Sequence, residues 1–134
     1  MTDGAATTAP PARVLVVEDD DNIATALEYV ISREGMAYDR LASGAEAMSR
    51  IRDTRPDLVL LDIMLPEVSG YDICRDIRTD PGLSAGRVLM MTARGSAAEQ
   101  KRVMALGADG FISKPFELKF LRTEVRRVLS AAGA

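Results

Sequence analysis

Four consecutive acidic residues, Glu18-Asp19-Asp20-Asp21, follow a short apolar run, Val14-Leu15-Val16-Val17. A second run, Leu58-Val59-Leu60-Leu61, ends in Asp62, and a third, Val88-Leu89-Met90-Met91, ends in Thr92. A shorter one, Phe111-Ile112, leads into Ser113-Lys114-Pro115. If the first and third strands of such a chain are neighbours, three or more carboxylates converge on one small site. Like charges that close resist full ionisation unless a cation joins them. A hard divalent ion with oxygen ligands resolves the conflict, and Mg²⁺ suits few carboxylates and several waters. A carboxylate nucleophile beside Mg²⁺, Lys114 and Thr92 is a set for phosphoryl transfer. Metal and lysine would neutralise the transferring oxygens while Asp62 attacks in line. The expected product is an aspartyl phosphate. Asp20 and Asp21 read instead as helix N-terminal residues that complement the helix dipole.

The elements that must position these residues are legible as alternating strands and helices. Apolar runs without polar alternation are expected of strands buried on both faces. Ala37 to Leu41 is mixed in polarity and reads as an edge strand. Between them, Asn22 to Glu34 carries Ile23, Leu27, Val30 and Ile31 on one stripe, with Gly35 as its stop. Ser43 with Glu46, and Ser96 with Glu99, have the spacing of capping boxes that open a second and a fourth helix. The third helix is predicted over Tyr71 to Arg78, and the last from near Glu117 through Leu118, Leu121, Val125 and Val128 or Leu129. In the fourth helix only Ala97 and Ala98 offer early apolar anchors, and Lys101 interrupts the stripe before Met104, which predicts low local stability. Cys74 reads as a packing residue on the third helix. Phe120 lies off the inward stripe of the last helix and is expected to pack on Phe116. Five strands alternating with five helices give an α/β fold with a parallel sheet covered on both faces, whose ligands bind beyond the carboxyl ends of the strands.

Composition narrows the function classes. The chain has 134 residues, 47% hydrophobic and 28% charged, enough for one domain with a real core. Its net charge of −3 carries no footprint for nucleic acid, so direct DNA binding is not expected. The chain contains no histidine and a single cysteine, which excludes histidine metal sites and an internal disulfide. Residues 1–12 read as a disordered lead-in rather than a signal peptide, residues 13–130 as the folded unit and residues 131–134 as a tail. No apolar stretch is long enough to cross a bilayer, and the chain reads as cytoplasmic.

Four segments together carry a family resemblance. Val16-Val17-Glu18-Asp19-Asp20, the segment from Pro56-Asp57 through Asp62-Ile63-Met64-Leu65-Pro66, Met91-Thr92-Ala93-Arg94, and the stretch from Gly107 to Phe116 that contains Lys114-Pro115 resemble, in order, the motifs of bacterial response regulator receiver domains. The similarity runs from about Arg13 to Leu129. It implies a (βα)5 flavodoxin-like, doubly wound sandwich with strand order 2-1-3-4-5. It also implies that Asp62 is phosphorylated by a sensor histidine kinase or a histidine phosphotransfer protein. Asp19, Asp62 and the backbone carbonyl of Met64 would bind Mg²⁺, with Glu18 acting through water. Lys114 and Thr92 would contact the phosphoryl group, and Thr92 with Phe111 would form a switch. A downstream target would dock on the face of the fourth helix, fifth strand and fifth helix, on a monomer or a phosphorylation-dependent dimer. Such a domain catalyses only its own phosphorylation and dephosphorylation. In the family the Lys114–Pro115 type of bond is typically cis.

Two positions flank the path of the hydrolytic water in the family, and here they hold Met64 and Arg94. Bulky, apolar Met64 predicts slow loss of the phosphoryl group. The rival reading is a Mg²⁺-dependent phosphatase of the haloacid dehalogenase type. That family places a second Asp two residues after the nucleophile, where this chain has Met64, and it needs a cap domain that the chain lacks room for. A nucleotide-binding flavodoxin-like module is weaker still, because no glycine-rich phosphate loop is present. The lead-in and the lack of a tag favour a stand-alone receiver over a piece of a longer regulator.

Overall fold

An uninterrupted apolar strand has to be covered on both sides, and the architecture provides two covers. The structure is a computed structural model describing residues 11–93 and 95–133. The expected lead-in up to residue 10, Arg94 and the last residue of the expected tail lie outside the described residues. The strands are β1 (Arg13–Val17), β2 (Ala37–Leu41), β3 (Leu58–Asp62), β4 (Arg87–Thr92) and β5 (Gly110–Ser113). They form one parallel sheet in the order β2-β1-β3-β4-β5. The helices are α1 (Asp21–Arg33), α2 (Ala47–Thr54), α3 (Gly70–Thr79), α4 (Ala97–Ala105) and α5 (Leu118–Gly133).

Alternate residues of each strand feed opposite layers. Val17, Leu61 and Met90 pack with Ile51, Ile73 and Val103 on one side of the sheet. Val16, Leu60 and Met91 pack with Leu27, Ile31 and Val125 on the other. Every side chain of β3 is therefore buried, which explains its unbroken apolar sequence.

Helix starts show where local chemistry held and where it yielded. Asp20 is the N-cap of α1, its carboxylate accepting from the amides of Asn22 and Ile23. Ser43 does not open α2. It caps a 3₁₀ turn at Gly44–Glu46 through the amide of Ala45, its hydroxyl donates to Glu67, and α2 begins only at Ala47. In α4 the expected anchors Ala97 and Ala98 are exposed, and Val103 is the buried residue. Leu118, expected on the inward stripe of α5, is 37% exposed, and Phe120 is 50% exposed. Cys74 is fully buried, and burial pushes its thiol pKa up.

One glycine sets the distance between α3 and the end of β3. A methyl group at Gly70 would sit 2.3 Å from the carbonyl oxygen of Asp62 and 2.8 Å from the Cα of Ile63. Only a residue without a side chain lets α3 approach so closely. Gly70→Ala is expected to lower stability by about 1–3 kcal/mol in urea titration, as overpacking against fixed backbone does. An unchanged midpoint would show that β3 and α3 can part freely.

Candidate active site

Parallel strands share one direction, so residues beyond their carboxyl ends collect at a single edge. Val17 pairs with Leu61, Asp62 with Met91, and Thr92 with Ser113. Glu18 is thereby set beside Asp62, with Thr92 at the end of β4 and Lys114 just beyond β5. Oxygens of Glu18, Asp19 and Asp62 lie within 4.8 Å of one another. Glu18, Asp62 and Thr92 are buried, whereas Asp19 is exposed. A cleft of about 590 Å³ opens over Glu18, Asp19 and Asp62, lined also by Lys114, Pro115 and Phe116.

The ammonium of Lys114 lies between two of the carboxylates, 2.7 Å from Glu18 Oε1 and 3.1 Å from Asp62 Oδ2. Its backbone is fixed by an amide that donates to the Thr92 carbonyl at 2.7 Å, and the peptide bond to Pro115 is cis. The other oxygen of Asp62 accepts from the amide of Met64 at 3.1 Å. Glu18 Oε2 accepts from the amide of Asp20 at 3.1 Å. Burial is the main influence on Glu18 and lifts its pKa above the ordinary carboxylate value, against the opposing pull of Lys114 and the Asp20 amide. For Lys114, burial works to lower the pKa. Its contacts with Glu18 and Asp62 outweigh that and hold it above the usual lysine value.

The donor set can be tested against a metal. Three carboxylates against one ammonium leave two negative charges in a largely buried site. All the donors are oxygens, with no histidine or cysteine among them, which suits a hard divalent cation rather than zinc. Mg²⁺ fits this set.

The remaining predicted residues occupy the same edge or its flank. Thr92 donates its hydroxyl to Glu99 Oε1 at 3.2 Å. Phe111 is half-buried against the core layer that contains Met90 and Val103. Met64, two residues beyond Asp62, is 67% exposed. Three further residues make contacts at the site that the sequence did not reveal. Arg40 reaches from β2 to the carbonyl of Glu18 with two donors, at 3.1 and 2.8 Å, and to Asp21, which fixes the acidic turn. Glu99 and Tyr71 meet behind Thr92, the tyrosine hydroxyl donating to the carboxylate. The capping-box spacing drew attention to Glu99 but assigned it a local partner, and nothing in the sequence flags Arg40.

The sequence profile of the response regulator receiver domain matches residues 14–126. The chain belongs to the response regulator receiver family. It is 38% identical over 120 residues to the phosphate regulon transcriptional regulatory protein PhoB of Rhizobium meliloti (strain 1021), covering 90% of this chain and 53% of PhoB. It is 40% identical over 114 residues to the DNA-binding response regulator MtrA of Mycolicibacterium smegmatis, covering 85% of this chain and 49% of MtrA. Among solved structures, the beryllofluoride-activated N-terminal receiver domain of Klebsiella pneumoniae RstA is 31% identical, with a TM-score of 0.80. That match covers 87% of this chain and 97% of the RstA domain. Receiver domains serve as phosphoacceptors in two-component signalling, and the dehalogenase-type alternative is not favoured.

One expectation is overturned. Direct DNA binding was excluded from the net charge, yet MtrA is a DNA-binding response regulator and PhoB a transcriptional regulatory protein. The receiver chain spans about half the length of these relatives. Its charge therefore reports on the receiver segment alone, not on contact with DNA by the full-length relatives. No helix among the described residues is long and apolar enough to cross a membrane.

If the three carboxylates hold a divalent ion, Mg²⁺ at about a hundred times its Kd adds about 2.7 kcal/mol of stability. Thermal melting should show this as a rise in Tm that grows with Mg²⁺ and disappears in Asp19→Asn. An equal response in wild type and variant would place the ion elsewhere.

Proposed function

We propose that Asp62 accepts a phosphoryl group from a phosphohistidine donor, and that residues 13–130 form the unit that carries out this transfer on itself. The supporting observation is the Lys114 ammonium 3.1 Å from a buried Asp62 within the acidic cluster. A carboxylate in that setting has charge compensation for an incoming phosphoryl group already in place.

The chemistry assigns a task to each side chain. An oxygen of Asp62 forms the new bond to phosphorus while the bond from phosphorus to the donor nitrogen breaks. The electron pair of that bond returns to the imidazole. Asp19, Asp62 and the backbone carbonyl of Met64 would hold Mg²⁺, with Glu18 bound through water. Bound there, the ion would neutralise charge on the phosphoryl oxygens. Lys114 exchanges its contact with Asp62 for one with a phosphoryl oxygen while keeping Glu18. The Thr92 hydroxyl donates to a second oxygen, and the ring of Phe111 moves inward behind it. No separate substrate is turned over: the chain catalyses only its own phosphorylation and dephosphorylation.

Loss of the phosphoryl group needs water in line with the Asp62–phosphorus bond, and in the receiver family the position held here by Met64 flanks the path of that water. An apolar side chain neither orients nor admits that water. Incubation with radiolabelled acetyl phosphate and Mg²⁺ should label the wild type and leave Asp62→Asn unlabelled. Label retained by Asp62→Asn would overturn the assignment. Met64→Asn or Met64→Glu should shorten the lifetime of the label about ten-fold, equivalent to ~1.4 kcal/mol of barrier. An unchanged or longer lifetime would remove Met64 from the account.

A further inference from the structure

Glu99 lies in the first turn of α4, where Ser96 caps the helix by accepting the Glu99 amide at 3.1 Å. A glutamate at this position commonly folds back onto the amide of the capping residue. Its carboxylate is turned the other way. One oxygen accepts the Thr92 hydroxyl of β4 at 3.2 Å, and the other accepts the Tyr71 hydroxyl of α3. The ring of Tyr71 in turn carries the guanidinium of Arg102, one turn along α4, 3.9 Å from its centroid. Val103 is the buried residue of α4. This carboxylate gives the helix polar ties to both β4 and α3.

A hydroxyl has one proton to donate. Thr92 can give it to Glu99 or to a phosphoryl oxygen on Asp62, but not to both. We propose that Glu99 is a positioning residue that holds the Thr92 hydroxyl toward α4, so that phosphorylation of Asp62 and release of the first turn of α4 from β4 are one coupled event. The inference rests on the reading of Asp62 as phosphoryl acceptor. A contact present in one state and broken in the other biases the equilibrium by its own strength. Here the bias opposes the phosphorylated state. Tyr71 and Arg102 keep the carboxylate in place once the hydroxyl has left, so the tie can re-form when the phosphoryl group is lost.

The probe is beryllofluoride, whose affinity for the full chain in Mg²⁺ can be measured by titration calorimetry. Removing a charged acceptor from the competing state should tighten binding about ten-fold in Glu99→Ala. Glu99→Gln, which keeps a weaker acceptor, should tighten it by a smaller factor and guards against a fold defect in the alanine variant. Tyr71→Phe leaves the contact between Thr92 and Glu99 intact and should not tighten binding. In a Thr92→Val background the gain from Glu99→Ala should vanish, which a general loosening of α4 would not produce. Equal or weaker binding by both Glu99 variants, or a gain that persists with Thr92→Val, would overturn the proposal. Failure of the wild type to bind beryllofluoride at all would overturn the reading of Asp62, and this inference with it.

Discussion

Three carboxylates and one ammonium share the end of the sheet, and the rest of the molecule is arranged so that they can. Glu18 is fully buried, a costly place for a charge without partners. Lys114 makes that burial tolerable by reaching Glu18 and Asp62 together. Its position depends in turn on a backbone bond from β4 and on the strand order that puts β5 within reach of β3 across β4. The net negative charge that remains is what makes the site receptive to a divalent cation.

Rigidity and looseness are distributed unevenly around this point. The strand that carries Asp62 is buried along its whole length, and Gly70 lets α3 press against its end. The flank formed by α4 has the opposite character, with little apolar anchorage and a polar tie running through Thr92, Glu99 and Tyr71. A fixed carboxylate next to a weakly anchored helix is the arrangement that the proposed covalent switch requires. Chemistry needs positional accuracy, whereas signalling needs an element whose two positions differ little in free energy.

What was legible in the sequence follows from the range of the forces involved. Apolar runs announce doubly covered strands because burial acts on every residue in them, so β1, β3 and β4 could be read directly. Glu18, Asp19, Asp62, Thr92 and Lys114 could be placed together because strand ends share an edge whatever the loop details. Asp20 could be read as a helix N-terminal residue from its charge alone, and the structure makes it the N-cap of α1, whereas Ser43 was misplaced. Capping spacing is a nearest-neighbour signal, and at Ser43 the hydroxyl found Glu67 in another loop. Glu99 satisfied the same spacing at Ser96 while its carboxylate answered to tertiary partners. Arg40 left no signal at all, since its partners are a backbone carbonyl and a side chain about twenty residues away. Net charge misled about DNA because it describes only the segment over which it is summed.

The central claim, that Asp62 is the acceptor, is most directly tested by reductive trapping. Borohydride converts an aspartyl phosphate to homoserine, and peptide mass mapping locates the converted residue. After reaction with acetyl phosphate in Mg²⁺, conversion is expected at Asp62 alone, and a chelator should abolish it. Conversion at Asp19, at Asp20 or at any other carboxylate while Asp62 stays intact would contradict the account.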